Sequence, residues 1–148
     1  MKQKSFTYFS SLVVGLSLIA VPAMAQHNGE AHPKTNMAGA KTPAAVLHMA
    51  DMHLAQLAAT IKSKKLASVH EHAFAVRDAI KMLPGVSKSL PAATQTRLAT
   101  GVKTVSSLAA ELDEAGDSAN QASTEALYKK LVTTLTAIKG LYPAGKGK

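Results

Sequence analysis

The sequence predicts an all-α protein, an antiparallel up-and-down four-helix bundle with a flexible N-terminal arm. Two observations carry this prediction. Apolar residues recur every three or four positions in four successive segments, as on one face of an α-helix. Short stretches with turn-forming residues separate these segments, and helices joined by short connections pack antiparallel to their chain neighbours.

The N-terminal segment, from Met1 to Ala25, is typical of a secretory signal peptide. Two lysines precede an apolar run over residues 12–21, and Ala23 and Ala25 form an A-x-A cleavage site. The run is too short to anchor the chain in a bilayer, and no later segment approaches the roughly 18 apolar residues of a membrane span. We therefore expect a soluble, exported, periplasmic protein that begins at Gln26.

Composition limits the function classes of the mature chain. It would have 123 residues, enough for one domain, and a net charge of +6 from 15 basic and 9 acidic residues. The chain contains no cysteine, so no disulfide can stabilise it outside the cell. The basic charge suits an acidic partner or a membrane surface, and export argues against nucleic acid.

A flexible arm is predicted over residues 26–42 and a disordered tail over residues 144–148. The arm is rich in Gly, Pro, Asn, Thr and Ala and has no apolar period. It carries His27, His32 and Met37, which are tethered candidates for metal binding.

The bundle is predicted over residues 43–143. Thr42 is the expected N-cap of the first helix and Pro43 its first residue, while Pro84-Gly85 is expected to stop the second. The third is expected to run from Pro91 to Gly116, and a capping box of Ser118 and Gln121 is expected to begin the fourth. The four apolar stripes are Leu47, Ala50, Leu54, Leu57 and Ile61; Leu66, Val69, Ala73, Val76, Ile80 and Leu83; Leu98, Val102, Val105, Ala109 and Leu112; and Tyr128, Leu131, Leu135, Ile138 and Tyr142.

The first helix also carries the segment HMADMH, residues 48–53. Successive residues are separated by about 100° around a helix, and with Leu47 as the origin the apolar stripe centres at about 320°. His48 then lies at about 100°, Met52 at about 140°, Met49 at about 200° and His53 at about 240°. The first three are predicted to point away from the core, with His53 at the edge of the stripe.

Residues four apart on a helix lie on adjacent turns, which pairs His48 with Met52 and Met49 with His53. An imidazole with a thioether suits copper, particularly Cu(I), better than zinc or magnesium. The alternative is that these side chains form a surface or an oligomer contact. The sequence therefore indicates a transition-metal site, copper favoured, whose candidate ligands are His48, Met49, Met52, His53, His27 and His32.

Two more histidines, His70 and His72, flank the stripe of the second helix on opposite sides. Matching the stripes of the first two helices pairs Leu57 with Ala73. This register separates His53 from His72 by roughly 7 to 8 Å along the axis, so the two are not expected to share one ion.

In length and helix pattern, though in no specific motif, the chain resembles the periplasmic b-type haem cytochromes of four-helix-bundle form and other small periplasmic proteins. The resemblance implies haem held by a methionine early in the first helix, Met49 or Met52, and by a histidine late in the last. The fourth helix has no histidine, which leaves His70 or His72 as substitutes, and no C-x-x-C-H motif is present.

No enzymatic activity is predicted. The acidic residues Glu111, Asp113, Glu114 and Asp117 gather near one helix end, as a solvated turn would, and no Glu-x-x-His pair of di-iron bundles occurs. We expect a periplasmic binding or accessory protein that handles a transition metal. The alternative is a metal-free interaction or envelope-stress protein that binds another protein or the membrane surface.

Overall fold

The computed structural model describes residues 40–142, which fold into four α-helices. Each helix packs against its neighbours in the chain, while α1 and α4 touch only sparsely. The all-α prediction is confirmed. The bounds are α1 Pro43–Lys62, α2 Val69–Val86, α3 Ala92–Asp117 and α4 Gln121–Lys139, and a 3-10 turn, Leu66–Ser68, precedes α2.

Part of the predicted organisation lies outside the described residues. This applies to the signal peptide, to the tail over residues 144–148, and to the arm up to residue 39, with His27, His32 and Met37. Of the arm residues that are described, Ala40 is buried against the core.

The beginning of α1 follows the prediction, and that of α4 corrects it. The Thr42 hydroxyl accepts a hydrogen bond from the Ala45 amide at 3.2 Å, as an N-cap does. The N-cap of α4 is Asn120 rather than Ser118, and its side chain accepts from the Ser123 amide at 3.0 Å. Ser118 is not available for this role because α3 continues to Asp117 and takes Ser118 as its C-cap.

The end of α2 is a further correction, because the helix continues through Pro84 to Val86. Proline lacks the amide hydrogen that would bond four residues back, and its ring crowds the preceding turn. Pro84 lies in the last turn of α2, and only Gly85 and Val86 follow it in the helix. The helix α2 therefore ends two residues after Pro84 rather than at it.

The core is aliphatic. Aromatic side chains, Phe74, Tyr128 and Tyr142, pack only against its margin among the described residues. The largest fully buried side chains are Val46, Leu57, Val69, Val76, Ile80, Leu83, Leu98, Val105, Leu112, Leu131 and Leu135, with the hydroxyl-bearing Thr124.

The buried face of α1 differs from the predicted stripe. Val46 is fully buried, whereas Leu47 and Leu54 are only partly buried. The buried positions Val46, Ala50, Leu57 and Ile61 centre at about 290° on the predicted wheel, a rotation of about 30°. Since α1 packs mainly on α2 and little on α4, its buried face turns towards α2.

Two glycines permit close approach between elements. A Cβ added to Gly116 of α3 would lie 2.7 Å from the Leu66 carbonyl oxygen, and one added to Gly101 would lie 2.7 Å from Cγ1 of Ile138. The absence of a side chain at Gly116 brings the end of α3 against the beginning of α2.

Polar contacts connect distant parts of the fold. The buried Ser87 hydroxyl, just after α2, hydrogen-bonds the Tyr142 hydroxyl at 2.8 Å. Lys139 of α4 pairs with Asp51 of α1 across the sparse contact between these two helices. No helix within residues 40–142 combines the length and apolar content that crossing a bilayer requires.

Candidate metal centre

The four predicted ligands of HMADMH divide between two faces of α1. His48 is exposed, and the large hydrophobic side chain of Met52 is 49% exposed. Met49 and His53 are both half-buried. The structure therefore separates the pair His48 and Met52 from the pair Met49 and His53.

The placement of Met49 corrects the sequence prediction. Met49 was expected to point away from the core, but its side chain packs against the core cluster. The rotated buried face of α1 accounts for this, because the face includes Val46 rather than Leu47 and so extends towards Met49. Met49 therefore lies on the inner side of α1, as the half-buried His53 does.

His53 meets His72 of α2. The centres of the two imidazole rings are 6.4 Å apart, and the ring planes are inclined by 27°. Each metal-to-nitrogen bond is about 2.0–2.1 Å, and the nitrogen lies a further ~1.2 Å from its ring centre, so two rings on one ion have centres at most about 6.5 Å apart, a limit reached only when the ion lies between them in both ring planes. The two rings lie closer together than the register deduced from the apolar stripes indicates, and whether they share one ion is not tested by this distance.

The orientation of the His53 ring follows from Gln56, one turn further along α1. Nδ1 of His53 lies 3.1 Å from Oε1 of Gln56. An amide oxygen only accepts, so Nδ1 donates in this contact, and a singly protonated imidazole then keeps the lone pair of Nε2. Metal-binding histidines commonly have this arrangement, with one nitrogen donating to an oxygen and the other free for the metal.

The surroundings of His72 favour the neutral form of its imidazole, which metal binding requires. Partial burial lowers its pKa, and the neighbouring His53 and His70 lower it further, while Glu71 opposes them. A lower pKa reduces the competition between proton and metal for the ring nitrogen.

Met49 is a candidate third donor on this face. It lies one turn before His53 on the same side of α1, where Cβ atoms are about 5–6 Å apart. Thioethers are flexible and polarisable, so the sulfur can move towards an ion near the two rings. We refer to Met49, His53 and His72 as the α1–α2 site.

Sequence reasoning missed a second cluster, between α2 and α3. One ligand atom each from His70, Asp113 and Asp117 lie within 4.8 Å of one another. The two carboxylates were interpreted as part of a solvated turn. The available signals were their i, i+4 spacing and the opposite directions of His70 and His72, but only the tertiary contact at Gly116 brings them together.

His70 and His72 therefore face different helices. This agrees with their predicted placement on opposite sides of the apolar stripe of α2. His72 approaches α1, and His70 approaches α3. The chain matches no protein family, no curated protein and no solved structure, so the interpretation of both clusters rests on their geometry and chemistry.

Proposed function

We propose that this is an exported, soluble periplasmic binding or accessory protein that handles a transition metal, copper favoured, at the α1–α2 site. The observation that supports it best is the 6.4 Å approach of the His53 and His72 rings from two different helices. Such an approach brings imidazole donors from two helices into neighbouring positions.

The donor set favours Cu(I) among the transition metals. Two imidazoles and a thioether are neutral and soft to borderline, and they include neither the carboxylates that suit harder cations nor the thiolates common in structural zinc sites. The half-buried position of all three residues reduces contact with water. Histidines of the arm, His27 and His32, are further candidate ligands in the full-length protein.

The proposal includes an antiparallel up-and-down order of the helices. It is supported by the short connections, which occupy residues 63–68, 87–91 and 118–120, and by the packing of each helix on its chain neighbours. In that order, α1 and α2 form a hairpin with His53 and His72 on facing surfaces.

The test compares Cu(I) affinity between matched double variants, by competition with a chromogenic Cu(I) chelator. His53→Gln/His72→Gln removes both nitrogen donors of the α1–α2 site. His48→Gln/Met52→Leu removes the same kinds of donor from the outward face of α1, and circular dichroism establishes that each variant is folded.

We expect the first variant to bind Cu(I) at least about 100-fold more weakly than the wild type, since changes outside the ligand shell alone cost 10–100-fold. The second is expected to keep wild-type affinity. Equal affinity of all three proteins, or a loss confined to His48→Gln/Met52→Leu, would contradict the proposal. A peptide of residues 26–42 measures binding by the arm alone.

A second candidate function is supported by the exposure of Met52. An exposed methionine beside exposed His48, on a basic chain, is suited to contact with another protein or with an anionic membrane surface. For this candidate, Met52→Ala weakens self-association or binding to anionic vesicles and leaves metal affinity unchanged. Sedimentation of the wild type and the variant, with and without vesicles, measures this difference.

A further inference from the structure

We infer that His70, Asp113 and Asp117 form a second metal site, selective for a divalent cation such as Zn²⁺ rather than for Cu(I). One ligand atom of each lies within 4.8 Å of those of the other two. This α2–α3 site shares no residue with the α1–α2 site and goes beyond the proposed copper function.

The fold brings the three residues together through backbone contact. His70 is the second residue of α2, and Asp113 and Asp117 occupy adjacent turns at the end of α3. Gly116 lies between the carboxylates in sequence, and the space of its missing side chain is occupied by the Leu66 carbonyl and the Val69 side chain. The two helix ends therefore have little freedom to separate.

The electrostatics of the end of α3 favour a bound cation. The C-terminal end of a helix carries a partial negative charge, and the last turn of α3 contains no basic residue. Asp113 and Asp117 add two negative charges at i, i+4 spacing, which repel one another. A divalent cation between them removes both unfavourable terms.

Two lysines lie near one of these carboxylates. Lys64 and Lys65 line the same surface cleft as Asp117 and are exposed, so they contribute a diffuse positive field there.

The donor set distinguishes this site from the α1–α2 site. One imidazole and two carboxylates suit Zn²⁺ and other borderline divalent ions, whereas Cu(I) prefers softer donors. Ligand atoms around tetrahedral zinc are about 3.4 Å apart. Asp117 is exposed, and His70 and Asp113 are half-buried, so rotation of the side chains can close the 4.8 Å cluster to that spacing. Water can complete the coordination.

The test is calorimetric titration of Zn²⁺ into the purified full chain. Asp113→Asn/Asp117→Asn removes both anionic ligands with little change of shape. Glu111→Gln/Glu114→Gln makes the same charge change at exposed positions of the same helix end and serves as the matched control. His53→Gln/His72→Gln reports separately on the α1–α2 site.

We expect Asp113→Asn/Asp117→Asn to lose one Zn²⁺ equivalent, or at least about 100-fold in affinity for it, with the other two variants retaining that equivalent. Unchanged zinc binding in the Asp variant, or an equal loss in the Glu control, would overturn the site. Because Cu(I) affinity is measured on the same proteins, failure at the α2–α3 site can be told from failure at the α1–α2 site.

Discussion

His72 makes the stability of the metal-free protein depend on pH. Burial lowers the pKa of its imidazole below the ordinary value of 6.5, His53 and His70 act in the same direction, and Glu71 opposes them. The unfolded chain, with an ordinary histidine, therefore takes up its proton at a higher pH than the folded protein does. Protonation favours unfolding, so His72 contributes its full stabilisation above 6.5 and loses it as the pH falls through the lowered folded value.

We therefore predict that the free energy of unfolding falls between pH 7 and pH 5 and that His72→Gln reduces this slope. Chemical denaturation in the presence of a chelator measures the free energy of unfolding at each pH. His48→Gln is the control, because His48 is exposed on the outer face of α1. If the unfolding free energy of His72→Gln depends on pH as steeply as that of the wild type, His72 is not the group responsible for the pH dependence.

The hydrogen bond between Ser87 and Tyr142 offers a second test at the level of single atoms. Tyr142→Phe leaves the buried Ser87 hydroxyl without this partner, which we expect to cost about 1–2 kcal/mol of unfolding free energy. The double variant Ser87→Ala/Tyr142→Phe removes both groups, so it should lose less than the sum of the single losses. Thermal unfolding of the four proteins measures the coupling, and strict additivity would mean that the bond contributes nothing.

At the scale of elements, Gly116 determines how closely α3 approaches the beginning of α2. A Cβ there would lie 2.7 Å from the Leu66 carbonyl oxygen, which belongs to the backbone and cannot rotate away. Overpacking costs about 1–3 kcal/mol, and the better helix propensity of alanine offsets up to about 1 kcal/mol of it.

We predict that Gly116→Ala lowers the unfolding free energy by about 1–2 kcal/mol. Gly85→Ala is the matched control, since nothing lies within 4 Å of a Cβ at this helical position. It should stabilise the protein by up to about 1 kcal/mol. Denaturant unfolding of both variants provides the comparison, and a Gly116→Ala variant as stable as Gly85→Ala would contradict the close approach.

Apolar periodicity was sufficient to predict the four helices, because each stripe is a local property of the chain. The Thr42 cap was likewise predictable from its neighbours. The end of α2 was not predictable in this way, because the helix continues for two residues after Pro84. The 3-10 turn at Leu66–Ser68 was also missed, and the register deduced for α1 and α2 made no allowance for it.

The candidate sites show the same division between local and tertiary information. Helical geometry correctly separated His70 from His72 and placed His48 and Met52 outside. It misplaced Met49, because the direction of the buried face of α1 depends on which helix covers it. The meetings of His53 with His72, and of His70 with the two aspartates, depend on contacts between helices that a single sequence does not contain.

In the whole molecule, α2 is the helix that both candidate sites share. Its first turns carry His70 towards α3 and His72 towards α1, only two residues apart in sequence. A metal at either site would join α2 to a neighbouring helix. This matters most for α1, whose contact with α4 is sparse and whose attachment to the bundle depends chiefly on α2.

The most direct test of the copper proposal identifies which of the six histidines bind Cu(I). Cu(I) has a closed d shell and is diamagnetic, so imidazole resonances remain visible in ¹H–¹⁵N correlation spectra of the ¹⁵N-labelled protein. With one equivalent of Cu(I), we predict that Nε2 of His53 and a ring nitrogen of His72 shift together, while the resonances of His48 stay unchanged. Shifts confined to His48 or to the arm histidines His27 and His32, with His53 and His72 unmoved, would contradict the α1–α2 site.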